Sequence, residues 1–504
     1  MTVPVLSDII VLRCVNALSW AKDGQLLLSG GDDTTVRLWR IDQGETAQQY
    51  PFVCQGTVQT GHTGNIFNAQ MLPSSNRIAT VAGDKQVRVF DVTDTISQPA
   101  NPLEADRGTQ ASHLRVLRCH AGRTKRIVTE HSSDLFLTVG EDGTVRQHDL
   151  RVHHVCRSGR CPPPLVKVPH ELSTLALSPL TPYEFVVAGD SPYGYLFDRR
   201  QTGRFIQEEW GILPTGDDVT TCVRRFGRKS MGPGERKGHE HVTGARMSTR
   251  NGHEVLLSYS ADAVYLYSTR DDVVDSSGSS TPPAVVAPNT KHKVQVANQP
   301  SEDLMEGIES EWSASDADVV DSDPEIQGNS SSGDQTDIFE DIEESINDGI
   351  PVLHGTLPVI YPRMCFAGAC NVQTVKDVNF FGPSDEFVVS GSDDGNFFVW
   401  RKTTGALHGV YEGDGSVVNV IESHPHLPLV AVSGIDTTVK LFAPVQHSSK
   451  FSRMSDAESI VSRNLEAASR EENEYSALFN HYRLMLGELG RHYGEEGQPG
   501  CTFQ

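Results

Sequence analysis

Two short Asp-x-Arg sequences carry the most distinctive chemistry in the chain. They are Asp149-Leu-Arg151 and Asp198-Arg-Arg200, and each directly follows the last position of a segment with alternating apolar residues. Residues two apart on a strand share a face, and a carboxylate can hold a guanidinium through two parallel hydrogen bonds. Each pair therefore predicts an arginine that is held by its own aspartate while the guanidinium points off the strand toward a partner.

A second group of residues has the chemistry of metal ligands. Cys156 and Cys161 are close in sequence to His153, His154 and His170, and sulfur and imidazole donors of this kind can form a zinc clip. Zinc sites built from cysteine pairs, however, usually show closer spacing and a second paired hairpin. We therefore interpret these cysteines as free loop thiols, and the sequence predicts neither a metal site nor a cofactor.

Catalytic signatures are scarce. The sequence contains no Walker loop, no HExxH and no G-x-S-x-G, so the groups needed for phosphoryl transfer, zinc hydrolysis or serine nucleophilic catalysis are missing. We expect a protein that is not an enzyme.

A basic segment leaves several interpretations open. Arg224–Lys237 carries six positive charges and one negative charge, with glycine and proline between them. It could contact phosphates, an acidic partner or the acidic part of this chain, or it could be a solvated loop. The solvated loop is the preferred interpretation, and nucleic acid is not the expected partner.

Seven related segments must position these residues. Five of them have a small hydroxyl residue, a turn with aspartate and an alternating strand that ends in an aromatic or imidazole side chain, as in Ser29 to Trp39 and Ser390 to Trp400. Two copies are looser: the aromatic follows the turn aspartate one residue later from Asp190 to Phe197 and one residue earlier from Asp262 to Tyr267. The turn aspartates are Asp33, Asp84, Asp142, Asp190, Asp262, Asp394 and Asp436. Short strands that recur about every 40 to 60 residues are typical of four-stranded propeller blades.

This frame resembles the WD-repeat family, and Gly61-His62 matches the Gly-His of its signature. The resemblance implies that His62 bonds through a serine or threonine to the turn aspartate and the strand aromatic, so that each blade is tied internally. The residues expected to hold blades together in this way are His62, Asp33, Trp39, Asp84, Asp142, Asp394, Trp400 and Asp436.

The predicted fold class is all-β: a seven-bladed WD-repeat β-propeller with a disordered acidic insertion and a C-terminal helical tail. We assign 1–270 to blades one to five, 271–355 to the insertion, 356–445 to blades six and seven, and 446–504 to amphipathic helices. Residues 1–12 are the candidate for the strand that closes the ring.

Charge and composition agree with this division. Ser301–Ile350 contains 17 acidic and no basic residues, which is most of the net charge of −23, so the acidity belongs to one segment. No apolar stretch approaches the roughly 20 residues of a membrane span, and the first residues lack a signal-peptide pattern. The nine cysteines are thinly spread. We expect a reducing compartment, nucleus and/or cytoplasm, and no membrane partner.

The doubled Asp-x-Arg box is similar to the docking box of the cullin-4-associated factors. In that family such arginines bind the damaged-DNA-binding protein adaptor of cullin-4 RING ubiquitin ligases. The segments Gly64–Pro73, Gly140–Arg146 and Phe387–Asp394 resemble one subgroup, which includes the nuclear receptor interaction protein. His148 and Phe197 stand where the family usually has tryptophan before the box.

The resemblance implies a non-catalytic substrate receptor. Asp149, Arg151, Asp198 and Arg200 would bind the adaptor, and another surface would present an unknown protein substrate to the cullin-4 ligase. The alternative is a general interaction scaffold, or a transcriptional or chromatin cofactor, in which the Asp-x-Arg pairs are only structural. Arginines exposed on one face favour the receptor, whereas arginines turned inward favour the scaffold.

Overall fold

The computed structural model describes residues 5–10, 14–41, 52–97, 112–156, 161–200, 222–228, 241–271, 359–444 and 449–470. Within these ranges the chain is a seven-bladed β-propeller, which confirms the predicted fold class. Most of 271–355 and the predicted helical positions after residue 470 lie outside the described residues. None of the helices within the described ranges has the length and apolar character that a membrane span requires.

Blades one to three are antiparallel sheets of four strands in sequence order. Blade one consists of β2 (Val15–Ala21), β3 (Leu26–Gly31), β4 (Thr35–Ile41) and β5 (Phe52–Gln59). Blade two consists of β6 (Ile66–Met71), β7 (Arg77–Ala82), β8 (Val87–Asp91) and β9 (Ser112–Leu117), with a short helix α1 (Thr93–Ser97) after β8. Blade three consists of β10 (Thr124–Thr129), β11 (Leu135–Gly140), β12 (Thr144–Asp149) and β13 (Val166–Lys167).

When the chain returns to the propeller at residue 359, it adds one strand to blade four and one strand to blade five. Blade four consists of β14 (Leu172–Leu177), β15 (Glu184–Gly189), β16 (Gly194–Asp198) and β17 (Arg224–Phe226), and β21 (Val359–Ile360) pairs in parallel with β17. Blade five consists of β18 (Val242–Met247), β19 (Glu254–Tyr259), β20 (Val264–Ser268) and then β22 (Met364–Phe366). Residues 359–366, grouped above with blades six and seven, thus pair with blades four and five. The predicted insertion lies between the third and fourth strands of blade five.

Blades six and seven complete the ring. Blade six consists of β23 (Val378–Phe381), β24 (Phe387–Gly391), β25 (Asn396–Arg401) and β26 (Leu407–Glu412). Blade seven consists of β27 (Val418–Ser423), β28 (Val430–Gly434), β29 (Thr438–Phe442) and the N-terminal strand β1 (Val5–Ile10), which pairs antiparallel with β29. The predicted closing strand is confirmed, and the ring leaves no long open edge where its two ends meet.

The core lies between neighbouring blades. The first strands of successive blades contact each other around the ring, from β2 and β6 through to β23, β27 and back to β2. The strands alternate in side-chain direction, and both faces of each sheet are covered by adjacent blades, so their central residues are apolar. One such cluster contains Leu137, Val139, Phe185 and Phe197, which join blades three and four.

A helix over 457–470 packs on the propeller after a 3₁₀ turn at Met454–Asp456. Ala457 and Ile460 are buried in the cluster that joins blades five and six. The Asn464 side-chain amide donates to the Gly368 carbonyl at 2.9 Å and to the Asp394 carboxylate at 3.1 Å. The helix over 457–470 is therefore packed against the propeller as part of the fold.

Candidate functional site

The first Asp-x-Arg box follows β12 in blade three. Arg151 donates to Asp149 through Nε at 2.9 Å and through Nη2 at 2.7 Å, and its backbone N–H also bonds that carboxylate at 3.0 Å. The Arg151 side chain is 64% exposed. The guanidinium hydrogen bonds lower the pKa of the Asp149 carboxyl. The pair stays charged at neutral pH, and the remaining Nη1 and Nη2 hydrogens can bind a partner.

The second box repeats this geometry after β16 in blade four. Arg200 donates to Asp198 through Nε at 3.0 Å and through Nη2 at 2.7 Å, and the side chain is 63% exposed. The guanidinium hydrogen bonds also lower the pKa of Asp198. In addition, the Arg200 guanidinium lies 3.9 Å from the ring centre of Tyr183, in cation–π contact. The second arginine thus has a support that the first lacks.

Arg199 shows that the two boxes belong to one face. This residue, inside the second box, donates to the Gln147 side chain of β12 at 2.5 Å and forms an ion pair with Glu130, at the end of β10. A shallow groove beside the second box is lined by Glu130, Gln147, Tyr183, Arg199 and Arg200. Each box directly follows the third strand of its blade, so the two exposed guanidiniums lie at the same end of neighbouring blades.

The network inside blade three explains how its box is supported. His120 bonds the Asp142 carboxylate through Nδ1 at 3.0 Å and Thr138 through Nε2 at 2.8 Å, and Thr138 bonds His148 Nε2 at 2.8 Å. The Thr138 hydroxyl thus lies between the two imidazoles and bonds a ring nitrogen of each. Burial lowers the pKa of His148 to about 3. His148 thus fills the place of the usual tryptophan.

Other predicted blade residues make related contacts. His62 bonds Asp84 at 3.0 Å and Thr80 at 2.8 Å. Trp39 donates its indole N–H to Ser29 at 2.9 Å. Asp33 accepts from the Thr35 backbone at 3.0 Å, and Asp436 accepts from the Thr438 backbone at 2.8 Å. The Asp33 and Asp436 contacts close the turn between the second and third strands of their blades, whereas the His62 and Trp39 contacts tie separate strands of a blade together.

Blade six uses a different carboxylate from the one in the repeat frame. Asp393 accepts from the Val372 backbone at 2.6 Å and forms an ion pair with Lys376, whose side chain is fully buried. Asp394, one residue later, accepts from the Asn396 backbone at 3.2 Å, as the turn aspartates of other blades do, and it also bonds the C-terminal helix. Trp400 donates to the Ala367 carbonyl at 3.1 Å rather than to a serine. The repeat frame thus predicts the position of the turn, but Asp393 and not Asp394 bonds the backbone that precedes the first strand of blade six.

The basic segment begins inside the fold. Its residues 224–228 are described, and its later residues lie outside the described ranges. Arg224 to Phe226 form β17, the fourth strand of blade four, and Arg228 forms an ion pair with Asp262 of blade five and faces the ring of Tyr259. The first five residues of the segment are therefore packed in the propeller and are not a solvated loop.

The cysteine and histidine ligands named from sequence separate into two groups. His154, Cys156 and Cys161 come together with Cys119, whereas His153 is exposed and His170 is half-buried beside Tyr195. Burial lowers the pKa of His170 to about 4. No sequence motif marks Cys119 as a ligand, because it lies 35 residues before His154 in the chain. The roles of Tyr183 and Glu130, and the contacts of Arg199 inside the second box, are likewise not marked by a motif.

The fold and its internal repeats define a WD-repeat β-propeller protein. A family model described as "WD domain, G-beta repeat" matches residues 11–40, 52–91 and 362–401. These matches coincide with blade one, with the first three strands of blade two, and with β22 to β25.

Three relatives place the chain more closely, and the human one confirms the resemblance to the cullin-4-associated factors over half of the chain. It is 32% identical over 265 residues to WD repeat protein iqw1 of Schizosaccharomyces pombe, 30% over 284 residues to Protein ALTERED SEED GERMINATION 2 of Arabidopsis thaliana, and 28% over 267 residues to human DDB1- and CUL4-associated factor 6. The matches cover 51%, 52% and 51% of this chain and 31%, 34% and 27% of those proteins. The chain thus spans about a third of the length of these relatives.

Proposed function

We propose that the protein is a non-catalytic substrate receptor of a cullin-4 RING ubiquitin ligase, and that it docks on the DDB1 adaptor through Arg151 and Arg200. The observation that carries this proposal is the repeated geometry of two exposed, aspartate-held guanidiniums on neighbouring blades. The name of the human relative points to the same partners. Nucleus and cytoplasm are both compatible compartments for such a receptor.

The aspartates hold the arginines in place before a partner binds. An unpaired arginine loses rotamer entropy when a partner fixes it. Here two side-chain hydrogen bonds already fix each guanidinium, so less freedom remains to be lost on binding. The receptor itself performs no chemistry. It raises the effective concentration of a bound substrate near a charged ubiquitin-conjugating enzyme.

Charge reversal tests the proposal. We expect the Arg151→Glu/Arg200→Glu variant to lose adaptor binding by a hundredfold or more, about tenfold for each arginine. The control Arg401→Glu/Arg463→Glu makes the same change in charge at two other exposed arginines and should bind like the wild type. Affinity is measured with the purified adaptor, and circular dichroism verifies the fold.

Two results would contradict the receptor assignment. If the double variant is folded and binds as tightly as the control, the boxes serve only the blades. If the wild-type chain does not bind the adaptor, the general scaffold becomes the better assignment.

A further inference from the structure

Four soft side chains from two distant chain segments meet on the outer side of blade three. They are Cys119, which follows β9 of blade two, and His154, Cys156 and Cys161, which lie between β12 and β13. One ligand atom from each lies within 4.8 Å of the others. We propose that this Cys119–His154–Cys156–Cys161 cluster binds one Zn²⁺ ion, which holds blade three to the end of blade two.

The distances fit a tetrahedral ion. Bonds of about 2.3 Å to sulfur and about 2.0 Å to nitrogen place tetrahedral ligands about 3.5 to 3.8 Å apart. Cys119 Sγ lies 3.5 Å from Cys156 Sγ and 3.4 Å from His154 Nε2, and Cys156 Sγ lies 3.1 Å from His154 Nε2. For these three ligands an ion requires shifts of only a few tenths of an ångström, and the Cys161 ligand atom lies within 4.8 Å of each of them. A complete set of three sulfurs and one imidazole is the ligand set of a closed, structural zinc site.

The surroundings of the cluster suit a thiolate site. The backbone N–H of Arg118 donates to Cys156 Sγ at 3.1 Å, the kind of outer contact that orients a metal-bound sulfur. A divalent cation binds the thiolate form of cysteine, so metal binding at this cluster would release the thiol protons.

The fold also gives this ion a task. β13 pairs with only two residues of β12, Thr144 and Val145. Within the described part of the segment between these strands, backbone hydrogen bonds hold the ends, at Leu150, Val152 and Leu165. The cluster lies between those ends, so a metal bond to Cys119 would fasten the middle of the segment where strand pairing does not reach.

Zinc content gives the first test. We expect the full chain, purified under reducing conditions and dialysed against trace zinc, to hold one equivalent by elemental analysis. Cys119→Ser/Cys156→Ser should hold less than a tenth of that amount. The control Cys14→Ser/Cys365→Ser removes two other cysteines and should keep the full equivalent.

A cobalt titration of the wild type keeps the test decisive if the double variant does not fold. Tetrahedral Co²⁺ with thiolate ligands gives intense visible bands and a sulfur-to-metal charge-transfer band, and alkylation of Cys119, Cys156 and Cys161 should slow at least tenfold when the metal is bound. A wild-type chain that binds neither zinc nor cobalt would overturn the proposal. A Cys119–Cys156 disulfide found by mass spectrometry in the reduced preparation would overturn it as well.

Discussion

Blades three and four present the same Asp-x-Arg geometry on different foundations. In blade four, Tyr183 stacks on Arg200, and Phe185 and Phe197 pack with ring centres 5.8 Å apart beneath the box. In blade three, His148 occupies the place of Phe197, and the segment after Arg151 leads directly into the cysteine and histidine cluster. Apolar and aromatic packing holds one box, whereas titratable groups hold the other. The comparison teaches that neighbouring blades can hold the same Asp-x-Arg geometry with different groups, and that the buried histidine makes the support of the blade-three box sensitive to pH.

Acid should separate the two blades most strongly. The pKa of His148 falls to about 3 in the fold but is near 6.5 in an unfolded chain, so the unfolded state binds the extra proton between these values. His148 therefore does not reduce the free energy of unfolding above about pH 6.5, and it lowers this free energy progressively as the pH falls below that value. At pH 4.5 His148 alone should cost about 3 kcal/mol.

His148→Phe copies the blade-four residue into blade three and should remove this part of the pH dependence. It should cost about 1 kcal/mol at pH 7.5, because the bond to Thr138 is lost. Urea unfolding at the two pH values measures the difference, and His131→Phe, at an exposed histidine, is the control. Equal pH dependence in wild type and His148→Phe would mean that His148 does not couple protons to folding.

Metal removal should weaken the blade-three box selectively. If both proposals hold, a chelator should lower adaptor affinity about tenfold, equivalent to about 1.4 kcal/mol, because the segment that follows Arg151 loses its fastening. The Arg200→Glu variant should show the same loss of affinity with chelator, because its remaining docking arginine, Arg151, is in blade three. It should vanish in Arg151→Glu, because coupled changes at one site do not add.

Adaptor affinity is measured for the wild type and for each variant, with and without chelator, which gives a double-mutant cycle. An equal loss in both backgrounds would indicate general unfolding, and no loss in the wild type would separate the metal from docking. Zinc content remains an independent measurement, so failure of this prediction leaves the metal site itself to be judged by the titration.

Tyr183→Leu should have the smallest effect, and it acts on blade four alone. Removing the aromatic face beneath Arg200 should lower adaptor affinity about fivefold, or about 1 kcal/mol. Tyr183→Phe retains the ring and should bind like the wild type, which separates the cation–π contact from the hydroxyl. Surface plasmon resonance can resolve this difference. Identical affinities for the leucine and phenylalanine variants would show that the ring does not contribute.

Local spacing predicts the strands and turns, because a blade repeats its pattern within a few residues. It therefore locates the turn of blade six but not whether Asp393 or Asp394 makes the tie. It also identifies both Asp-x-Arg boxes, which lie within single turns. Contacts between distant segments leave no such local pattern. Cys119 meets Cys156, and Arg199 meets Glu130, only because the ring brings neighbouring blades together.

The pairing of β22 with β20 has a consequence for how this propeller could change in evolution or by design. Arg363 bonds the Asp271 carboxylate through Nε at 2.7 Å, so the chain leaves blade five and re-enters it at nearly the same point. Each doubling in length of a chain between two adjacent anchors costs only about 0.6 kcal/mol of closure entropy. Segments of different length or sequence can therefore be inserted between β20 and β22 while the propeller keeps its geometry.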